Sequence, residues 1–192
     1  NHQFFAEGYR GAYKHFVSAV VVRNRSHPNI YAWEPGNELQ DSDKATFLAF
    51  MQDMTSYIKR LDPRHPVASG MIEAEEAGFT PTELYSGLTA LDIITVHPGN
   101  GYRGSAGDLD WAIAHHKQGI VEETGFSSIG GRGSRLQTEL TYWRRRGATA
   151  FLLDAFIARG LSDPGDGDKL LGFDAIWHTD YSQLAAFVHN AT

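Results

Sequence analysis

Four apolar runs in this chain each stop at side chains capable of acid–base chemistry. Ile30 to Trp33 leads into Glu34-Pro35-Gly36-Asn37-Glu38, Asp92 to Val96 into His97, Gly119 to Val121 into Glu122-Glu123, and Ala148 to Leu153 into Asp154. A carboxylate stripped of water is costly unless it is paired. Asn37 and Glu38 therefore either cap the helix that follows or are presented to a ligand. Two carboxylates from separate strands, facing each other across a cleft, are the minimum equipment for glycoside hydrolysis. One, protonated, gives its proton to the departing sugar oxygen; the other, anionic, attacks or stabilises the anomeric carbon. Carboxylates at short range separate their pKa values, because both cannot ionise cheaply. An Asn beside the acid can hydrogen-bond a sugar hydroxyl. Glu38, Glu123, Asn37 and His97 form the candidate set.

The elements that must position these groups alternate. Tyr9, Ala12, Tyr13, Phe16, Val17, Val20 and Val21 share a helical face, so residues 9–25 read as an amphipathic helix ended by His27-Pro28. A short strand, Ile30 to Trp33, follows. Asp43 to Leu61 is a second helix with Phe47, Phe50, Met51, Met54, Ile58 and Leu61 inward, closed by Asp62-Pro63. Pro66 to Gly70 is a strand, and Thr80-Pro81-Thr82-Glu83 has the form of a capping box. Asp92 to His97 is the clearest strand, Leu109 to Lys117 a helix, and Gly119 to Glu123 a strand. Gly125 to Gly133 is a glycine-rich loop. A helix from Ser134 to Gly147 carries Leu136, Leu140 and Trp143 inward, and Arg144 to Arg146 complement its dipole. A strand from Ala148 to Leu153, a loop from Leu161 to Lys169 and a helix from Ser182 to Asn190 complete the chain. Five short, almost uniformly apolar strands between helices describe an α/β protein with a covered parallel sheet. Function in that architecture gathers at the carboxyl ends of the strands, where the candidate set lies.

Composition narrows the chemistry. The 192 residues suffice for a single domain, and a net charge of −6 argues against a nucleic-acid or anionic-membrane partner. The chain has no cysteine, which excludes thiolate catalysis, disulfides and Cys-ligated zinc. The nine histidines form neither HxH nor HExxH, so no metal site is expected. His115-His116 reads as a surface feature. No apolar run approaches the roughly 20 residues of a membrane span. No signal peptide is expected from the residues at Asn1.

HPNIYAWEPGNEL, LDPRHPVASG, DIITVHP, GIVEETG and GATAFLLDAF, in this order, resemble glycoside hydrolase clan A, with family 5 β-mannanases and cellulases nearest. FFAEGYRGAYKHFVSAVVVRN resembles the third barrel helix of those β-mannanases. The resemblance implies a (β/α)8 barrel of which only strands four to eight are matched, that is, a partial barrel of about five parallel strands over residues 1–192. It implies Glu38 as acid/base, Asn37 as its sugar-binding neighbour, Glu123 as nucleophile and His97 as the strand-six histidine. Glu122, one residue earlier, should point the other way by strand alternation. Trp33, Tyr102 and Trp177 are candidate substrate contacts, with packing the competing role for Trp33 and Trp177. Tyr181 is a weaker one.

The implied activity is retaining hydrolysis of a β-1,4-linked mannan or glucan, without a cofactor. The resemblance also suggests secretion. A full barrel takes about 250 residues. Five strands would leave open edges, so association with a second copy as a homo-oligomer, or membership of a larger protein, is expected. The competing function is a truncated, weakly active or inactive barrel segment that binds sugar or serves in assembly.

Overall fold

The computed structural model describes residues 2–98, 103–124 and 132–152. Tyr102, most of the glycine-rich loop, Asp154, Trp177, Tyr181, the loop at 161–169 and the helix expected at 182–190 lie outside the described residues. The chain divides into two compact units, Asn1–Ile120 and Val121–Thr192.

In the first unit, a long helix is the foundation. α3, Lys44–Leu61, begins where the Asp43 carboxylate accepts the Thr46 amide at 2.7 Å, and it ends at Asp62, whose amide reaches the Ile58 carbonyl. Phe47, Phe50, Met51, Met54 and Ile58 recur at helical spacing and are all buried. Against that face pack α1 (His2–Ala6), a short 3-10 turn at Gly8–Arg10 and α2 (Ala12–Asn24). Tyr9 meets Phe50 edge-on at 4.8 Å, and its hydroxyl donates to Asp53 at 2.8 Å. The expected helix over 9–25 is thus split. Gly8 and Gly11 bound a separate turn, and the buried stripe of α2 narrows to Val17 and Val21. Phe16, expected inward, is 60% exposed and stacks on Tyr13 instead.

The first two strands are shorter than expected. Trp33 donates to the Pro66 carbonyl and accepts from the Ala68 amide, a single parallel bridge. Residues 30–32 join no ladder: in this register the next donor to them would be the residue 66 amide, which proline lacks. Ala68 bridges in parallel to Ile93, the first residue of β1, Ile93–Val96, whose four residues are all buried. β1 is the strand the sequence marks most strongly, covered on both faces as its unbroken apolar run requires. α4, Pro81–Tyr85, carries the expected capping box between Thr80 and Glu83. α5, Arg103–Ala114, crosses from β1 to β2, Gln118–Val121. It starts six residues before the helix expected from Leu109, with Gly104 and Gly107 inside it. His115 and His116, just past its end, are exposed as expected. The Gln118 amide donates to the Asp92 carbonyl, setting β2 beside β1.

The second unit opens with the last residue of β2. Val121 accepts the Leu152 amide at 2.9 Å next to β3, Ala150–Phe151, reached through α6, Arg132–Arg145. Trp143, on the inner face of α6, is fully buried.

Candidate active site

Glu38 stands at the carboxyl end of the first strand pairing. Its amide donates to the Gly70 carbonyl at 2.8 Å, four residues beyond Pro66, whose carbonyl accepts from Trp33. Between them Pro35 and Gly36 turn the chain, and the Tyr13 hydroxyl clamps the turn by donating to the Pro35 carbonyl. Gly70 is required here. It has a φ of +63°, and a Cβ on it would come within 2.0 Å of the Gly36 carbonyl oxygen. Glu38 itself holds a φ of 53°, a left-handed conformation that costs a non-glycine residue about 1–3 kcal/mol. Such a residue persists only where its surroundings over-determine it. Here a backbone bond fixes the main chain and His97 fixes the side chain.

His97 follows β1 directly. Its amide donates to the Ile72 carbonyl at 2.8 Å, and its Nδ1 lies 2.9 Å from Glu38 Oε1. The two side chains differ in access, with 5% of the His97 surface exposed against 41% for Glu38. The imidazole is therefore a buried backing for a carboxylate that reaches solvent. With Glu38 ionised, Nδ1–H donates, which selects that tautomer. Asn37, exposed beside Glu38, completes this group. A carboxyl presented to solvent, oriented from behind by a ring nitrogen and flanked by an amide, can exchange a proton with a bound hydroxyl or ether oxygen.

Glu123 belongs to the second unit. It follows β2 and is half-buried, as is Glu122. Its backbone is anchored on both sides. Val121 is paired with Leu152, and the Thr124 hydroxyl donates to Glu139 of α6 at 2.8 Å, with Thr124 and Glu139 both buried.

Trp33 is placed apart from this group. Strand pairing sets it at the opposite end from Glu38, where its indole donates to Asp62 at 2.9 Å and meets the His65 ring edge-on. At this amino end of the pairing, Trp33 packs against Asp62 and His65, apart from Glu38. Tyr102 and Trp177 lie outside the described residues.

A layer beneath the Glu38–His97 pair escapes a reading by strand ends. The Ser69 and Thr95 hydroxyls lie 3.0 Å apart, and the Met71 amide donates to Thr95 Oγ1 at 3.2 Å. The Ala74 amide and the Tyr85 hydroxyl both donate to Asp108 Oδ2, at 2.8 and 2.7 Å. Ser105 donates to Glu73 at 2.7 Å. Burial pushes the Asp108 carboxyl up to about 7; hydrogen bonds from Tyr85 and Ala74 oppose this, and the charges of Glu73 and Glu75 add to it. Burial, with Asp108 alongside, likewise holds the Tyr85 hydroxyl well above its ordinary value. The signal in the sequence is Ser105, Asp108, Leu109 and Ala112, which share one helical face. A carboxylate on a face that is otherwise apolar or small calls for a partner.

No family model matches the chain. In sequence it is similar to mannan endo-1,4-beta-mannosidase A of Aspergillus aculeatus, 30% identical over 142 residues that cover 62% of this chain and 38% of that one. The chain spans only 15% to 38% of the length of the curated relatives it matches. In structure it is similar to the endo-beta-1,4-mannanase from Thermotoga petrophila, with a TM-score of 0.71, 23% identity, and 98% of this chain against 51% of that one. It is similar too to the endo-1,4-beta-mannanase from Rhizomucor miehei, with a TM-score of 0.73, 19% identity, and 97% against 64%. The chain therefore carries part of a (β/α)8 barrel, and over that part it resembles the family 5 glycoside hydrolases of clan A.

Proposed function

We propose that this chain is the segment of a retaining β-glycoside hydrolase that bears both catalytic carboxylates, acting on a β-1,4-linked mannan. Glu38 is the acid/base, and Glu123 is the nucleophile. Glu38 protonates the glycosidic oxygen as Glu123 attacks the anomeric carbon. Glu38 then takes a proton from the water that releases the glycosyl-enzyme. Asn37 holds a sugar hydroxyl, His97 orients Glu38, and Tyr102 and Trp177 contact substrate. Retention requires the two carboxyl groups about 5–5.5 Å apart. The observation that carries this reading is Glu38 itself, held in a costly backbone conformation and backed by buried His97 at the carboxyl end of parallel strands. The mannanase names of the relatives favour mannan over glucan.

The test is hydrolysis of mannan, glucan and aryl β-mannosides by the chain, with the product anomer read by NMR. Glu38→Gln and Glu123→Gln should each lower kcat by 10³-fold or more (on the order of the roughly 4 kcal/mol that such groups supply). Inversion at the anomeric carbon would remove the nucleophile role from Glu123. Turnover that survives both substitutions would remove the whole assignment. No turnover by the unmutated chain would leave a sugar-binding or assembly segment.

A second copy is proposed to cover the strand edge at Ala32. Trp33 pairs toward 66–68, so its neighbour Ala32 turns its amide and carbonyl the other way. Sedimentation as a monomer at micromolar concentration would contradict this association.

A further inference from the structure

Residues 70–74 touch both halves of the Glu38–His97 pair through the backbone. The Gly70 carbonyl accepts the Glu38 amide, and the Ile72 carbonyl accepts the His97 amide, each at 2.8 Å. The same five residues are held from beneath through their own amides. Met71 donates to Thr95 Oγ1 at 3.2 Å, and Ala74 donates to Asp108 Oδ2 at 2.8 Å. The segment is therefore a bridge, with two carbonyls facing the site and two amides facing buried side chains. It has no regular ladder of its own; these four bonds, together with the Phe79 amide donating to the Ala74 carbonyl at 2.8 Å, hold its position.

We propose that Asp108 is a positioning residue for this site: its Oδ2, braced by the Tyr85 hydroxyl, fixes Ala74 and thereby the Gly70 and Ile72 carbonyls that place Glu38 against His97. Thr95 is the second anchor of the same segment. The role depends on Glu38 and His97 forming the site proposed above, and it is about their geometry, whatever substrate they meet. Asp108 lies on α5 and makes no contact with either of them among its hydrogen bonds. What it supplies is a fixed acceptor. An asparagine, which keeps one oxygen in that place, should substitute for it, whereas an alanine should not.

The readout is the His97 ring itself, by the ¹⁵N shifts of its two nitrogens and the Nδ1–H proton resonance in the intact chain. In the unmutated protein the ring should be the Nδ1–H tautomer, with that proton shifted downfield by its carboxylate acceptor. Glu38→Gln should remove the downfield shift. Asp108→Ala should remove it as well, and Asp108→Asn should keep it. Thr95→Val should weaken it to an intermediate position, and it carries the test should Asp108→Ala fail to fold. Phe50→Leu, a cavity at a core side chain that makes none of these hydrogen bonds, should lower the unfolding midpoint and leave the ring unchanged. An unaltered ring in both Asp108→Ala and Thr95→Val would overturn the proposal. So would an altered ring in Phe50→Leu, or loss in Asp108→Asn equal to that in Asp108→Ala. Absence of hydrolysis together with the expected ring pattern would defeat the proposed function and leave Asp108 its role.

Discussion

Asp62 and Asp108 are each 1% exposed, yet their carboxyls move in opposite directions. Asp62 lies at the amino end of the strand pairing that Glu38 ends. Burial alone would raise its carboxyl, but donors outweigh burial. The Trp33 indole and the His65 ring reach Oδ2, the Arg64 and His65 amides reach Oδ1, and together they hold it well below the ordinary 3.8. Asp108, at the other end, receives both its donors on Oδ2, while Oδ1 is buried without a hydrogen-bond partner among the described residues and the charges of Glu73 and Glu75 act on it. At equal surface exposure, one end holds a satisfied anion and the other a carboxyl raised to about 7. The amino end of the pairing is built for stability, and the carboxyl end carries the strain and unsatisfied polarity that functional sites concentrate.

The largest effect expected from this contrast is at Asp62. Asp62→Ala strips two side-chain donors and two amides of their acceptor and should cost about 3–5 kcal/mol in urea unfolding at neutral pH. Asp108→Ala should cost less, since it also removes a group that resists burial in its charged form. Equal losses at the two positions would break the contrast.

The two carboxyls should also oppose each other in pH dependence. For Asp62 the folded value lies below the unfolded 3.8, so unfolding in acid takes up a proton, and its contribution is lost as pH falls below about 4. For Asp108 the folded value is about 7, above the unfolded 3.8. Unfolding between those values releases a proton, so stability falls as pH rises from about 4 to about 7, by on the order of a few kcal/mol in total. Asp108→Asn should flatten that window and leave the acid limb intact. A slope that persists in Asp108→Asn would assign the titration to another group.

Much of this arrangement is legible in the residues, for identifiable reasons. Local rules set α3, its Asp43 cap, the Thr80–Glu83 box and the apolar β1, and each of these formed where the pattern places it. The Asn-Glu pair and His97 were visible because they interrupt apolar runs. Trp33 was ambiguous because an aromatic at a strand reads alike at either end, and only register separates the ends. Phe16 lies outward because the buried stripe of α2 is confined to Val17 and Val21. Asp108 was missed since its partners, Ala74 and Tyr85, come from distant sequence. The helical face that Asp108 shares with Ser105, Leu109 and Ala112 marks its need for a partner, and long-range contacts alone decide which partner it finds.

Gly70→Ala probes the backbone at the carboxyl end without touching any charge. The new methyl would meet the Gly36 carbonyl oxygen, and φ would remain positive. A loss of about 2 kcal/mol is expected, together with displacement of Glu38 from His97. A neutral substitution would mean that the turn at Pro35-Gly36 yields easily, and that Glu38 is not rigidly placed.

The smallest effects should separate two buried hydroxyls. Thr95 Oγ1 is the acceptor for the Met71 amide, which stands outside any helix or ladder, so Thr95→Val leaves a buried donor unpaired and should cost about 1–2 kcal/mol. Thr55, equally buried within α3, donates back to the Met51 carbonyl at 2.7 Å, one turn earlier in the same helix. That carbonyl already faces the helix ladder, so Thr55→Val deletes a redundant bond and should change stability by less than about 0.5 kcal/mol. The two substitutions remove the same atom from the same residue type at the same depth. A difference between them would measure what the site layer asks of its hydroxyls beyond burial. Equal costs would mean that Met71 finds another acceptor, and that Thr95 is packing like Thr55.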